Sequence, residues 1–564
     1  MLEKSTRIAG IVFSVFWMLF ILLEYWQYHA DSRRAIAIFQ FQELGLALLI
    51  IGIVFVFCFT RFRKWKIFRR LSNGLGILLF SLFLLLICVN GFFYKNLGQF
   101  LSLEENLFFL TSILGIAGAT YIILLTAYGV GHFICKLFSL DFSQKVLHLT
   151  AMGLGILVIV ALLFLLGALK LLSGWVLWPV FGLLIALSWR SVWQFLQLTL
   201  WKPIPATEKI NALGLGVFYI LLLFISMNFA QVARPFPIGF DAITYYVNLS
   251  SLISEYKSLV QGFGAYNWSL FMSLGYLLFN QTAITLSLSF SGGILALLVL
   301  FQLSRRWLDV NYSLLVLLLF YTLPMISWLS YRDMKVDMGL LFYALLILLL
   351  AVDWLVPSKK IKKKKVSNSK SQRNARSASM PKGKIYLENA RQWISDRQPA
   401  VLNGHAYLIL IGILIGFSVG IKFSALIILL SFLPAIAYAR GNRIAFAGSL
   451  CIMLFLVLFA RFDAQAALRP LHLWANQLQW LLGLTGLGLV IYLFLRQREV
   501  FSSVFKSTLI CIIFCALTLS PWLIKNAIET RSISITSLTN GEPANPRPSI
   551  QDIQKAYEDA RINR

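Results

Sequence analysis

Acidic residues are scarce in this chain: 23 Asp and Glu in 564 residues, against 50 Lys and Arg. Charge of either sign makes up 13% of the sequence, while 59% is hydrophobic. A soluble fold of this length could not bury so much apolar surface in one core. Cysteine is sparse too. Its six copies (Cys58, Cys88, Cys135, Cys451, Cys511 and Cys515) fall in or beside apolar runs, and none makes a CxxC pair. That excludes a zinc or disulfide framework and leaves small packing residues. The five histidines form no HxH or HxxxH pair, which argues against a histidine-built metal site. No internal repeat of the kind that marks many transporters is visible. After the first apolar run, IAGIVFSVFWMLFILLEYW, there is no small-residue cleavage site, so the run reads as a retained helix and not a signal peptide.

What is present is one long apolar run after another. Many reach the roughly 20 residues that cross a bilayer as a helix. A membrane β-barrel would instead alternate over segments of about ten residues. The class is therefore an all-α polytopic membrane protein. Hydropathy places spans near 8–27, 41–60, 73–94, 106–133, 146–168, 172–197, 211–231, 283–303, 311–329, 338–355, 405–421, 423–439, 444–460, 474–494 and 507–524, about fifteen in all. Basic loops orient them. MLEKSTR, RFRKWKIFRR, SRRW, RGNR and RQRE all fall on one side, so the N-terminus is expected inside and the C-terminus outside. The net charge of +27 then reflects positive inner loops and not a nucleic-acid partner.

The chain divides into five regions. Residues 1–205 form an N-terminal transmembrane extension of about six spans. Residues 206–356 form the first half of a core, with an irregular outer loop at 233–282. Residues 357–403 open with PSKKIKKKKVSNSKSQRNARSASMPKGK and read as a disordered cytoplasmic linker that also meets anionic lipid. Residues 404–525 form the second half of the core, and 526–564 a short extracytoplasmic tail ending in a small helix. Within the outer loop, NLSSLISEYKSLV places Leu249, Leu252, Ile253, Tyr256 and Leu259 at helical spacing, and YNWSLFMSLGYLLF is apolar but too short to span. Both read as interfacial helices, and the second is also readable as a tilted span.

The few isolated charges gather on the outer side of this topology. RPFPIGFDAITYY holds one acid, Asp241, just past the seventh span. YRDMKVD carries Asp333 and Asp337 around Lys335, Lys422 interrupts GILIGFSVGIKFSALIILL, and Lys525 and Asn526 follow SPW. Charges at a bilayer boundary are costly unless paired or functional. A carboxylate there suits a general base, and Lys or Arg can hold the charge of a leaving phosphate. Tyr245 and Tyr246 could stack on a sugar face. Plainer roles stand beside these: Asp241 as the cap of the following helix, the YRDMKVD acids as loop salt bridges, Lys422 as a snorkelling side chain.

Four stretches, in order, resemble the GT-C-fold membrane glycosyltransferases, the group of the aminoarabinose transferases and protein O-mannosyltransferases. PFPIGFDAITYY is similar to the family's first outer loop, in which an essential acid precedes an aromatic; Asp241 matches the acid, Tyr245 the tyrosine, and Tyr246 replaces a histidine. KVDMGLLFYALL resembles the second outer-loop acid, matched by Asp337 and not Asp333. GFSVGIKFSAL resembles a glycine-rich stretch ending in lysine, here Lys422. SPWLIKN resembles the end of the last core helix, with Pro521, Trp522 and Asn526 matched and Lys525 in place of an arginine. The likeness covers about 211–540 and leaves the first six spans unmatched.

The resemblance implies a GT-C-like helix bundle in the cytoplasmic membrane with its active site on the extracytoplasmic face. The reaction would move a sugar from a polyprenyl-phosphate donor to a lipid, glycan or protein acceptor, with inversion. Asp241 and Asp337 would be the catalytic acids. Tyr245, Tyr246, Lys335, Lys422, Lys525 and Asn526 would bind substrate. Two matched acids do not make a tight metal site, and a weakly held Mg2+ or Mn2+ is the most they imply. The rivals are a transporter or flippase of a lipid-linked or anionic substrate, and a polymerase or ligase of surface polysaccharide.

Overall fold

A computed structural model describes residues 42–62, 73–138, 144–201, 210–355, 400–459 and 475–530. The expected span at 8–27, the linker as far as residue 399, residues 460–474 and the tail beyond 530 lie outside them. Among the described residues every regular element is a helix. In chain order these are α1 (Gln42–Phe62), α2 (Gly74–Leu97), α3 (Leu103–Leu137), α4 (Gln144–Ala168), α5 (Gly174–Leu196), α6 (Ala212–Val232), α7 (Val247–Tyr256), α8 (Asn267–Met272) and α9 (Leu274–Phe279). Then come α10 (Thr282–Ser304), α11 (Val310–Tyr321), α12 (Pro324–Tyr331), α13 (Asp337–Leu355), α14 (Ala400–Ile421), α15 (Leu426–Arg440), α16 (Arg443–Phe459), α17 (Ala475–Arg496) and α18 (Arg498–Thr530). Ten helices in the described chain are long and apolar enough to cross a membrane, and four shorter apolar ones accompany them. The chain is a multi-pass helical membrane protein.

Three segments differ from what hydropathy predicts. The run at 311–329 is not one span: α11 stops at Tyr321 and α12 begins at Pro324. Proline's fixed φ and missing N–H suit the first turn of a new helix and not the interior of an old one. The segment 266–279 is two six-residue helices meeting at Ser273. Trp268, Leu270, Phe271, Met272 and Leu274 are fully enclosed. An apolar surface on every side seeks a protein interior, so the pair is core and not an interfacial element. The last helix starts well before 507 and runs on to Thr530, placing Lys525 and Asn526 inside it.

The chain divides into two compact units: 1–130, 169–258 and 269–342 in the first, and 131–168, 259–268 and 343–564 in the second. In the first unit α6 is packed by α1, α2, α10 and α11. Its Tyr219 hydroxyl donates to the Leu48 carbonyl at 2.7 Å, and its ring fills the space a side chain at Gly52 would need. Asn228 on the same helix donates to the Tyr321 hydroxyl at 2.9 Å. Between apolar helices such buried polar bonds fix register, because the alternative is an unmet polar group. Asn73, Asn211 and Asp309 cap α2, α6 and α11 by accepting backbone N–H groups.

In the second unit α14 packs along α18, and α16 along α17. Gly412 and Gly416 of α14 lie against the Cys511 and Cys515 carbonyls of α18, and a Cβ at either position would strike that backbone. Small residues four apart let two helix backbones approach closely. Cys511 and Cys515 are buried in the same seam, which is the packing role expected of them.

Candidate functional site

The stretch RPFPIGFDAITYY lies in the first unit. After α6 ends at Val232 the chain is irregular until Phe240, then passes through a π-helical turn, Ala242–Tyr246, into α7. The Val247 N–H reaches back five residues to the Ala242 carbonyl, which widens the turn. Such π turns recur at functional sites because they re-aim side chains. Asp241 stands at the head of this turn but makes no side-chain capping bond. The cap comes from elsewhere in the chain. Asp333 accepts the Ala242 N–H at 3.3 Å. Gly239 makes the approach possible, since a Cβ there would run into the Asp333 carboxylate and Cα.

Relieved of capping, the Asp241 carboxylate pairs with the Lys335 ammonium, which also bonds Asp333 at 2.9 Å. The three side chains differ in burial. Asp333 is 10% exposed, Lys335 21% and Asp241 42%. So one acid is structural and buried, one cation is shared, and one acid faces out. Lys335 is set in place by its own loop. Met334 and Val336 on either side are buried, and Ser289 of α10 donates to the Lys335 carbonyl at 2.9 Å. Burial works against the Lys335 charge, but its bonds to Asp241 and Asp333 outweigh that and raise its pKa above the ordinary value.

Tyr246 stands edge-on to Tyr245, ring centroids 4.9 Å apart. Burial, and after it the charges of Asp337, Asp241 and Asp333, push the Tyr246 phenol far up. It is therefore a hydroxyl donor and not a base. Asp337 opens α13 in the first turn, where a helix N-terminus favours negative charge. Asp241, Asp333, Lys335, Asp337, Tyr245 and Tyr246 thus belong to one unit. An ammonium already sits between the Asp241 and Asp333 carboxylates, so this donor set does not fit a divalent cation. Among the described residues no group of three His, Cys, Asp or Glu offers another such site.

Lys422, Lys525 and Asn526 belong to the second unit. Lys422 is extended (φ −154°, ψ 128°) and separates α14 from a single 3-10 turn at Phe423–Ala425, so it marks a break in the backbone. Lys525 is 7% exposed and its ammonium is occupied. It donates to the Phe263 carbonyl at 3.0 Å and the Glu529 carboxylate at 2.8 Å, with Asn526 at 3.5 Å. Glu529 also accepts the Gly262 N–H at 3.3 Å. Beside it the Trp522 indole donates to Asn267 at 2.7 Å, Asn267 donates to the Phe417 carbonyl at 2.9 Å, and Gly420 leaves room for that amide. Lys525, Trp522 and Gly420 together fasten 259–268 to α14 and α18.

The loop salt bridge read for Asp333 is present, to Lys335, but its capping of the Ala242 N–H was not foreseen, and neither Arg234 nor Gly239 was given a role. The available signal for Asp333 was its offset in YRDMKVD: alternation buries Met334 and Val336 and leaves Asp333 and Lys335 as a pair. Its partner, the backbone of Ala242, lies 91 positions away and leaves no local trace.

A multi-pass helical protein with an acid–lysine–acid cluster just past a membrane-length helix is what fold and geometry define. No protein-family model, curated protein or solved structure matches the chain.

Proposed function

We propose that this protein is a GT-C-like membrane glycosyltransferase of the cytoplasmic membrane, acting on the extracytoplasmic face. It would move a sugar from a polyprenyl-phosphate donor to a lipid, glycan or protein acceptor. The observation that carries the reading is the division of labour around Lys335. Asp333 caps the π turn, which leaves the Asp241 carboxylate free of capping, partly exposed and oriented by Lys335. A general base needs those three properties. In this reading Asp241 takes the proton of the attacking acceptor hydroxyl or amine. Lys335 orients the carboxylate, Asp333 holds Lys335, and Tyr246 donates a hydrogen bond beside them. Asp337 adds negative charge at the head of α13 and positions substrate. Within the second unit Lys525 and Asn526 act by holding 259–268, and Lys422 marks the break after α14.

Asp241→Asn keeps the side chain's shape and removes its basicity. It is expected to abolish transfer of sugar from a polyprenyl-phosphate-linked donor in proteoliposomes, with elution profile and thermal unfolding unchanged. Wild-type turnover in that variant rejects the mechanism. Movement of the lipid-linked substrate across vesicles, with no new glycosidic bond, rejects the transferase in favour of a transporter.

A further inference from the structure

The segment holding Asp241 carries a second feature that the acid cluster does not use. Phe236, Ile238, Phe240 and Ile243 expose 61%, 46%, 76% and 50% of their surface. None of them lies in a membrane-length helix, so spanning does not account for them. Four large apolar side chains exposed within eight residues make a greasy stretch of the kind that marks an interaction site. The stretch begins four residues after α6 ends.

Two arginines stand at its base. Arg234 donates to the Arg332 carbonyl at 3.1 Å and to the Gln231 carbonyl at 3.2 Å, and its Nε is buried with no partner. Arg332 stacks its guanidinium on Trp328 at 4.2 Å and stays exposed. Among the described residues neither guanidinium has a carboxylate partner. Burial, and then the Arg332 charge, make the Arg234 cation less favourable than an exposed one. The Arg234 guanidinium rests on the Arg332 backbone and feels the Arg332 charge; two such cations without an acid call for an anion, and guanidinium groups match the oxygens of a phosphate.

A phosphate beside a greasy stretch describes one chemical class. We propose that Arg234 and Arg332 bind the phosphate of a prenyl-type lipid, whose chain lies along Phe236, Ile238, Phe240 and Ile243. The proposal rests on the glycosyltransferase reading and sharpens it, since it names the side chains that bring a lipid-borne donor beside Asp241. The lipid would slide in from the membrane, tail first along the apolar stretch, and stop where its phosphate meets the arginines.

The test is binding of radiolabelled farnesyl phosphate to the full chain in phosphatidylcholine nanodiscs, corrected for empty discs. Charged hydrogen bonds of this kind set the expectation that R234Q/R332Q weakens binding about 30-fold or more. Because Arg234 bonds the backbone and not the side chain of Arg332, the single variant R332Q leaves that contact intact, and it should lose about fivefold. F236S/F240S should lose about tenfold through the tail. Farnesol and inorganic phosphate should each fail to compete. Binding within twofold of wild type in folded R332Q, or competition by inorganic phosphate as strong as by farnesyl phosphate, overturns the lipid site. Binding is read with no sugar or acceptor present, so a failed lipid site leaves the test of Asp241 as base untouched, and wild-type turnover in Asp241→Asn leaves the binding result standing.

Discussion

Two lysines, one in each unit, show how the same pair chemistry serves different ends. Lys525 is enclosed, and its ammonium is spent on Glu529, the Phe263 carbonyl and Asn526. Lys335 keeps a fifth of its surface open and shares its charge between a buried acid and an exposed one. In the first case every group contributes to holding 259–268 in place. In the second, one partner is left over after the fold is satisfied. Where a charged network holds a member that folding does not need, that member is the candidate for chemistry. By this criterion Asp241, and not Asp333 or Glu529, is the carboxylate we propose as reactive.

The criterion is easiest to break with paired substitutions. Asp241→Asn should lower sugar transfer by about a thousandfold and leave thermal unfolding unchanged. Asp333→Asn should do the reverse in kind. The amide oxygen still accepts the Ala242 N–H, but the ion pair is lost, with stability down by about 1 kcal/mol and transfer down by about tenfold through a loosened Lys335. Equal losses of activity in the two variants would erase the distinction between base and support. Next in size is Lys525→Met. It leaves Glu529 and the Phe263 carbonyl without their buried cation, at a cost of about 3 kcal/mol in thermal unfolding of the detergent-solubilised chain. A cost near zero would mean that the cluster in the second unit is not structural.

Trp522→Phe is a milder probe of the same unit. It removes the indole donor from Asn267 while keeping the ring's place between Phe164 and Tyr266. One buried hydrogen bond sets the loss at about 1–2 kcal/mol, read as a drop in melting temperature and faster proteolysis within 259–268. Lys525→Met and Trp522→Phe should disturb the same segment, and a double variant that loses less than the sum would show the coupling.

Much of this was legible in the sequence for physical reasons. Apolar runs of spanning length have few alternatives to helices, so the all-helical class followed from composition. Asp241 and Lys335 stood out because isolated charges next to greasy spans are costly, and Tyr246 as an aromatic beside the acid in the family-like motif. Breaks inside apolar runs were harder to see. At Pro324 the cue existed but hydropathy overrode it, and the two short helices around Ser273 look apolar whether they lie on a membrane or in a core. The glycines of GFSVGIK and the tryptophan of SPW were read through their resemblance to a glycosyltransferase; in the structure Gly416 and Gly420 admit the backbone of α18 and the Asn267 amide, and Trp522 bonds Asn267. The decisive partnership, Asp333 capping the turn that Asp241 begins, depends on a contact between distant parts of the chain, which no window of sequence contains.

The smallest effect concerns the shared cation. Lys335 has its pKa raised above the ordinary 10.5, burial opposing and the bonds to Asp241 and Asp333 prevailing. A cation whose folded pKa exceeds its unfolded one lends its full stability below the unfolded value and loses it as pH climbs through the folded value. The stabilisation is therefore complete at pH 8 and fades above about pH 10.5. Because Asp241 is substantially exposed, solvent screening keeps the Lys335–Asp241 contribution below about 1 kcal/mol. Lys335→Met isolates it from the other lysines that titrate in the same range. The stability gap between wild type and Lys335→Met, followed by thermal unfolding, should be constant from pH 7 to 9 and shrink as pH climbs above about 10.5. A gap that persists through that climb would mean that Lys335 acts through its methylene stem and not its charge, and the poised pair would lose its physical basis.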